Sequence, residues 1–225
     1  MKKLYAAVWL LLAAGVAGSA ALLAFMPDII PAHYNFAGEV DRFGSKYEHL
    51  LFPAVTLLMG GMLLGVAKAV GKKGEAANEK VVLLSAVCLV GFWDVLSFYF
   101  GLLAIGYDTA SPAPVTLDTL MKLTGAGVGL LLVVLGNFMP KARRNAWFGL
   151  RTSWSMANDR VWQKSQRFGG MAAVACGFAM MLLSVLLPGW WNLLAMTLAP
   201  LVWLALCVVA SRRYYQADAK QRESG

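Results

Sequence analysis

Residues 81–105 read VVLLSAVCLVGFWDVLSFYFGLLAI, a run in which Asp94 is the single charged side chain. A helix needs roughly 20 apolar residues to cross about 30 Å of hydrocarbon, because each residue adds about 1.5 Å. Working outward from this run, the chain contains similar apolar runs at residues 4–26, 50–70, 117–138, 168–187 and 191–210. The sequence therefore predicts an all-α, polytopic membrane protein with six transmembrane helices.

Basic residues are distributed unevenly between the gaps that separate these runs. Of the 20 Lys and Arg residues, all except Arg42, Lys46 and Lys122 lie at the N terminus, in or beside the gaps after the second and fourth runs, or after the sixth. Cytoplasmic loops of membrane proteins are rich in Lys and Arg. Both termini are therefore predicted to be cytoplasmic, and the net charge of +8 does not require nucleic acid as a direct partner.

Polar and small residues inside the runs indicate helix contacts. Asp94 lies near the middle of the third run, and Lys122 lies close to the start of the fourth. An unpaired carboxylate is costly in lipid, which leaves two interpretations of Asp94. It is either a structural residue, protonated or paired with Lys122, or a site that binds a proton or a ligand. Small residues four apart allow helices to approach closely. Three such pairs are present: Ala14 with Gly18, Gly61 with Gly65, and Gly125 with Gly129.

The gap after the first run is predicted to form an ordered cap on the outer face of the membrane. Pro27 and Pro31 are expected to end the first helix, and Gly44 is expected to allow a turn. Side chains of the types that bind zinc occur here, but without a compact zinc spacing. They are Asp28, His33, Asp41 and His49. The loop is thus either a metal site or a hydrogen-bonded scaffold for peptide recognition.

The gap after the fourth run is basic and rich in tryptophan. It reads GNFMPKARRNAWFGLRTSW over residues 136–154 and ends VWQKSQRFGG over residues 161–170. Asn158 or Asp159 is suited to cap a helix that continues into the fifth run. Trp147, Trp154 and Trp162 with neighbouring cations are also typical of a segment anchored in the headgroup layer.

These residues resemble the cytoplasmic signature of the SdpI family of bacterial immunity membrane proteins. The shared pattern is Gly-Asn, Met-Pro-Lys, Arg-x-Asn, Phe-Gly, Arg-Thr-x-Trp, Val-Trp and Arg-Phe-Gly-Gly, with Ser153 where family members often have Pro. The outer segments PDIIPAHYN (27–35) and GEVDRFGSK (38–46) are similar to DUF1648, a domain of unknown function that often begins proteins of this family. The resemblance implies a division into residues 1–70 and 71–225, with the signature loop at 136–170.

The resemblance further implies a multi-pass protein of the bacterial cytoplasmic membrane that protects against a secreted peptide toxin and signals to a soluble transcriptional repressor. It implies no cofactor and no enzymatic activity. The outer loop would meet the toxin, with Phe36 and Phe43 as apolar contacts and with polar or aromatic ligand-binding candidates at Asp28, His33, Tyr34, Asn35, Asp41, Arg42 and Lys46. The cytoplasmic candidates are Asn137, Pro140, Arg143, Asn145, Gly149, Arg151, Trp154 and Trp162.

Two other functions are compatible with the sequence. A small-solute or proton-coupled transporter would use Asp94 inside the membrane, although no inverted repeat with broken helices is apparent. A membrane enzyme is the second alternative, although the chain contains no His-Glu-x-x-His motif, no Gly-x-Ser-x-Gly motif and no phosphate-binding glycine loop. In either case the partner that the composition requires is the lipid bilayer.

Overall fold

The structure is a computed structural model that describes residues 1–35, 39–107, 117–145 and 148–223. Phe36 and Trp147 of the predicted loops lie outside the described residues, as do the side chains of Leu117, Asp118, Leu120 and Trp190. The helices are α1 (Lys2–Phe25), α2 (Leu51–Lys72), α3 (Ala76–Gly106), α4 (Leu117–Phe138), α5 (Asp159–Leu186) and α6 (Gly189–Glu223). Short 3₁₀ helices occupy Lys46–Leu50 and Met139–Lys141, and two strands, β1 (Ile29–Tyr34) and β2 (Val40–Ser45), pair as an antiparallel hairpin.

The prediction of six membrane-crossing helices is confirmed. Within the described residues, six helices are long and apolar enough to span a bilayer. Their large apolar side chains are widely exposed, as lipid-facing surfaces require. The hairpin adds a small sheet to the predicted all-α fold. The orientation of the helices stays a prediction from the charge distribution.

The helix ends follow from local sequence. Helix α1 ends before Pro27, and its cap residue Met26 is already extended at φ −74° and ψ 140°, because a residue that precedes proline is disfavoured in the α region. Pro31 was expected to end the same helix, but it lies within β1 opposite Phe43. Both strands of a two-stranded sheet are edge strands, where proline is tolerated. Gly44 likewise lies in β2 rather than in a turn.

The chain divides into two compact units, each with its own contacts. The first contains residues 1–66 and 83–120, and the second contains residues 67–82 and 121–225. In the second unit α5 and α6 pack along each other. The predicted division at residue 70 concerns sequence motifs and stays a prediction.

Glycines explain the close packing of α4 against α5. A Cβ atom at Gly129 would lie 2.7 Å from the carbonyl oxygen of Gly177, and one at Gly136 would lie 2.7 Å from that of Gly170. These positions therefore allow the two backbones to touch, as predicted for Gly129. The corresponding prediction for Gly61 and Gly65 is wrong within this chain, because a Cβ at either residue would meet open space.

Candidate functional site

The hairpin segment, residues 27–50, is held against the ends of α1 and α3 by a small apolar cluster. Ile30 in β1 is buried with Met26 and Ala104. Phe43 in β2 makes an edge contact with Tyr107 just after α3, with ring centroids 5.7 Å apart. The strand pairing shifts on both sides of His33, which marks bulges that re-aim neighbouring side chains. The segment is thus an ordered cap, as the sequence predicted.

Two surface ion pairs link the strands of the hairpin segment to its 3₁₀ helix. Lys46 Nζ lies 2.9 Å from Asp28 Oδ1, and the guanidinium of Arg42 contacts both carboxylate oxygens of Glu48 at 3.1 and 2.9 Å. The hydrogen bond and the charge of Lys46 lower the pKa of Asp28. The hydrogen bond to Glu48 raises the pKa of Arg42. Both pairs are accessible to solvent, where ion pairs contribute little stability and exchange partners readily.

The predicted polar contacts near the hairpin turn bond to each other. His33 Nδ1 lies 2.6 Å from Asp41 Oδ1. Asn35 and Glu39, which follow β1 and precede β2, exchange backbone and side-chain hydrogen bonds. Tyr34 is half-buried, and this burial raises the pKa of its phenol. These side chains therefore form a polar rim around an apolar base.

The four metal candidates do not converge on one site. His33 and Asp41 are adjacent, whereas Asp28 pairs with Lys46 and His49 is only 3% exposed. Among the residues that the structure describes, no group of three or more His, Cys, Asp or Glu side chains is placed to hold a metal ion. The arrangement of the described residues fits a hydrogen-bonded scaffold.

Within the first unit, buried polar groups extend from His49 of the hairpin segment towards Asp94 in α3. The ring of His49 packs on Phe52 at 5.0 Å, and the indole of Trp93 donates to the carbonyl of Phe52 at 3.1 Å. A Cβ at Gly101 would lie 3.2 Å from the His49 ring, so this glycine provides the room that the imidazole occupies. Asp94 lies about two helical turns before Gly101, on the same face of α3.

Asp94 is 3% exposed and is surrounded by α1 and α2. Thr56 Oγ1 donates to Asp94 Oδ1 at 3.0 Å, and the hydroxyls of Ser19 and Ser97 lie 3.3 Å apart one turn away. Within the described part of the chain, Asp94 Oδ2 and His49 Nε2 are buried without a hydrogen-bond partner. Lys122 belongs to the other compact unit, so its pairing with Asp94 stays a prediction.

The signature loop, residues 136–170, folds around two buried side chains of α5. Trp162 is 1% exposed, and its Nε1 donates to the carbonyl of Ala142 at 2.8 Å. Gln166 is fully buried and binds the backbone of Leu150 twice, accepting from its N–H and donating to its carbonyl, both at 2.9 Å. Gly149 has φ +99°, a conformation that other residues rarely adopt. The side chains of Trp162 and Gln166 in α5 therefore hold the loop in this conformation through hydrogen bonds to its backbone.

Further internal bonds hold the first half of the signature loop. Asn145 is buried, donates to the carbonyls of Arg143 and Phe148, and accepts from the N–H of Phe148 at 2.8 Å. The backbone N–H of Arg143 donates to Asn78 Oδ1 at the start of α3 at 3.1 Å. Pro140 lies in the 3₁₀ helix and packs close to Gly170. Asn137, at the end of α4, is exposed.

The second half of the loop is joined to α5 and α6. Ser155 Oγ donates to the carbonyl of Leu150 at 2.8 Å, and Thr152 Oγ1 lies 2.9 Å from Ser211 Oγ in α6. Asn158 caps α5 by accepting from the N–H of Val161 at 2.9 Å. Its amide also donates to the buried Asp218 at 2.9 Å. The predicted helix cap is thus confirmed at Asn158.

The exposed residues of the loop are mainly cationic. Arg143 and Arg151 are exposed, and Trp154 is half-buried with the guanidinium of Arg212 5.8 Å from its ring centroid. Arg144 contacts Asp159 at 2.8 Å and the carbonyl of Met156 at 3.0 Å. Of the predicted cytoplasmic candidates, Trp162 and Asn145 are therefore internal, whereas Arg143, Arg151 and Trp154 reach the surface.

Three residues that hold the loop were not predicted: Gln166, Asn78 and Asp218. Gln166 lies four residues after Trp162, so it shares the helix face that the tryptophan buries. A polar residue at this spacing from a buried aromatic is a signal that predicts a backbone-binding side chain. No comparable signal identifies Asn78 or Asp218, because their partners are distant in sequence.

The fold and these two polar regions define a multi-pass membrane protein with an apolar helical scaffold, an exposed hairpin and an internally bonded basic loop. Family comparisons specify the class further. The model of the SdpI/YfhL protein family matches residues 141–211, and that of DUF1648 matches residues 10–57. The predicted resemblance to the SdpI family is therefore confirmed.

Two individual relatives are also similar to this chain. The chain is 26% identical over 197 residues to the protein named Immunity protein SdpI of Bacillus subtilis (strain 168), and the match covers 87% of each chain. It is 40% identical over 43 residues to an uncharacterized protein of Archaeoglobus fulgidus, which covers 19% of this chain and 24% of that relative. No solved structure matches the chain.

Proposed function

We propose that this chain is a membrane immunity protein that protects a bacterium against a secreted antimicrobial peptide. The observation that carries the proposal is the similarity to Immunity protein SdpI over 87% of both chains. The two family models add support, because one covers the whole hairpin segment and the other covers residues 141–170 of the signature loop. The charge distribution supports a location in the cytoplasmic membrane with both termini inside.

The hairpin segment is the part of the molecule that suits contact with a peptide. Ile29, Phe43 and Tyr47 expose 68%, 46% and 64% of their surface. Beside them lie the Lys46–Asp28 and Arg42–Glu48 pairs, whose solvent-exposed charges can exchange partners. An amphipathic peptide at the outer leaflet would find apolar and charged groups side by side. Binding there would remove the peptide from the lipid that it attacks.

The signature loop suits a cytoplasmic protein partner, and we include docking of a transcriptional repressor in the proposal. Arg151 and Trp154 present a cation and an aromatic ring, residue types that are enriched at protein interfaces. The internal bonds of Gln166 and Ser155 to Leu150 hold this edge in one conformation. A preordered edge loses less entropy when a partner binds.

Gain of protection tests the proposal. The chain is expressed in a sensitive bacterium, and survival is measured against each secreted peptide encoded beside its gene. Survival should rise for one of them and fall back in the variant Tyr47→Ser. The control is Tyr215→Ser, which removes an exposed tyrosine from the end of α6. Equal membrane levels are checked by immunoblot, and unchanged killing by every neighbouring peptide would contradict immunity.

Proton-coupled transport is the second candidate, and it is favoured by the buried Asp94 Oδ2 and His49 Nε2, which have no partner among the described residues. Unpartnered ionisable groups inside a membrane mark ion and proton pathways in many transporters. Flux is measured in reconstituted vesicles for the natural chain and Asp94→Asn. Equal flux from both, at the level of empty vesicles, would exclude this candidate.

A further inference from the structure

A cavity of about 900 Å³ opens between the start of the signature loop and the first turns of α5. One wall is the backbone turn of residues 140–144, and the other is the face of α5 that carries Trp162 and Arg167. A volume of this size is typical of sites for small molecules and headgroups. The cavity lies entirely within the second compact unit.

The charge inside the cavity is unbalanced. Lys141, Arg143, Arg144 and Arg167 line it, and Asp159 is the acidic residue among its lining side chains. Asp159 is already bound to Arg144 at 2.8 Å. Within the described parts of the chain, the ion pairs include neither Arg143 nor Arg167. Two guanidinium groups are therefore available for an anion.

The walls of the cavity are fixed before any ligand arrives. Asn78 holds the backbone at Arg143 through the 3.1 Å bond to its N–H. Trp162 ties α5 to the carbonyl of Ala142 at 2.8 Å. The two guanidinium groups thus project from anchored backbone, which lowers the entropy cost of binding. Planar guanidinium groups bind phosphate oxygens through two parallel hydrogen bonds.

We propose that this cavity binds a phosphate group, supplied by the headgroup of an anionic phospholipid. Pro140 and Trp162 give the cavity apolar walls at the ends of the membrane-crossing parts of α4 and α5, where lipid headgroups lie. Basic pockets between membrane helices on the cytoplasmic side bind such headgroups.

Lipid retention by the purified full-length chain tests the proposal. The protein is exchanged into micelles that contain phosphatidylcholine and phosphatidylglycerol, and retained lipid is counted by native mass spectrometry. The variant carries Arg143→Gln with Arg167→Gln. The matched control carries Arg160→Gln with Arg213→Gln, which removes the same charge from exposed arginines outside this cavity. A second arm adds inorganic phosphate at constant ionic strength and records thermal unfolding.

The natural chain and the control should retain phosphatidylglycerol in preference to phosphatidylcholine. The cavity variant should bind it about a hundredfold more weakly, because it removes two guanidinium groups and each charge-assisted bond contributes about tenfold. Equal loss of phosphatidylglycerol binding in the variant and the control would overturn the proposed site, because it would show that the overall positive charge binds the lipid. Thermal stabilisation by inorganic phosphate without retention of lipid would show that the bound phosphate group does not come from a lipid headgroup. No preference for phosphatidylglycerol and no response to phosphate would overturn the proposal entirely. None of these outcomes depends on protection against a toxin.

Discussion

The hairpin segment and the signature loop both contain many polar side chains, but they use them in opposite ways. In the hairpin segment Asp28, Arg42, Lys46 and Glu48 pair with one another at the surface. In the signature loop the buried amide and hydroxyl side chains bind backbone groups, as Gln166 does at Leu150, whereas the charged side chains remain outside. Surface pairs are replaceable by a ligand or by water, whereas a buried amide that loses its partner is costly.

The comparison indicates that the hairpin segment is suited to recognition, whereas the internal bonds of the signature loop serve structural stability. The hairpin segment is anchored by a few apolar residues such as Ile30 and leaves its charges free to rearrange. The signature loop is fixed by internal bonds and presents only its outer edge. Substitutions in the loop should therefore change local stability, and substitutions in the hairpin segment should change binding.

The largest effect is expected from Gly149→Ala in the signature loop. Gly149 has φ +99°, and a Cβ there would lie 2.5 Å from Gln166 Oε1. Backbone strain and displacement of the buried amide together should reduce the local free energy of unfolding by about 3 kcal/mol. Hydrogen-exchange mass spectrometry of peptides around residue 150 measures this change.

Gly44→Ala in the hairpin segment is the matched control. A Cβ at Gly44 would meet the carboxylate of Glu48, the far end of a flexible and exposed side chain that can swing aside, and would lie 3.0 Å from the Cβ of Ala32, so a small shift of the neighbouring strand is also needed. Its effect on hairpin exchange should be much smaller. Equal effects at both glycines would break the distinction between the two regions.

A smaller loss is expected from Gln166→Leu. The substitution leaves the N–H of Leu150 without its partner, while the carbonyl of Leu150 keeps the bond from Ser155. An unsatisfied buried N–H costs about 2 kcal/mol. Exchange at the Leu150 amide should accelerate accordingly. The control Gln163→Leu alters an exposed position on the same helix and should change stability by less than about 0.5 kcal/mol. Similar acceleration in both variants would show that the loop is not held by the buried amide.

The sequence was sufficient to predict the helices and the two functional loops, because apolar length and charge distribution are local signals. The cap of α5 at Asn158 was predictable for the same reason. The hairpin was not predicted, since Pro31 and Gly44 are residues more typical of turns. The bond from Asn78 to Arg143 was also beyond prediction, because it joins positions 65 residues apart. The sequence singled out Trp162 and Asn145 as candidate partner contacts, but it did not predict that both side chains are internal.

A still smaller effect is expected from Glu48→Gln. The substitution weakens the bidentate contact with Arg42, which is exposed and screened by salt. Thermal unfolding of the purified protein should remain within experimental error of the natural chain at high salt. A large loss of stability would show that the hairpin segment depends on its charges for folding and is not a readily rearranged surface.

The smallest effect is a dependence of hairpin exchange on pH. Lys46 lowers the pKa of Asp28 below its ordinary value of 3.8. The pair therefore stabilises the hairpin segment above a pH of about 4, and this stabilisation is lost as the pH falls through the lowered pKa. Exchange of hairpin peptides, corrected for intrinsic rates, should accelerate in acid in the natural chain but not in Asp28→Asn. Identical acid profiles would exclude a contribution from this pair.

The central claim is that the hairpin segment faces the outside, where a toxin arrives, and that the signature loop faces the cytoplasm. Single cysteines introduced as Asp41→Cys and Arg151→Cys, both at exposed positions, test it directly in intact cells with a membrane-impermeant maleimide. Cys88, Cys176 and Cys207 are replaced by alanine in both variants. We predict labelling at position 41 in intact cells and labelling at position 151 only after the membrane is permeabilised. Labelling of position 151 in intact cells, with position 41 protected, would contradict the account.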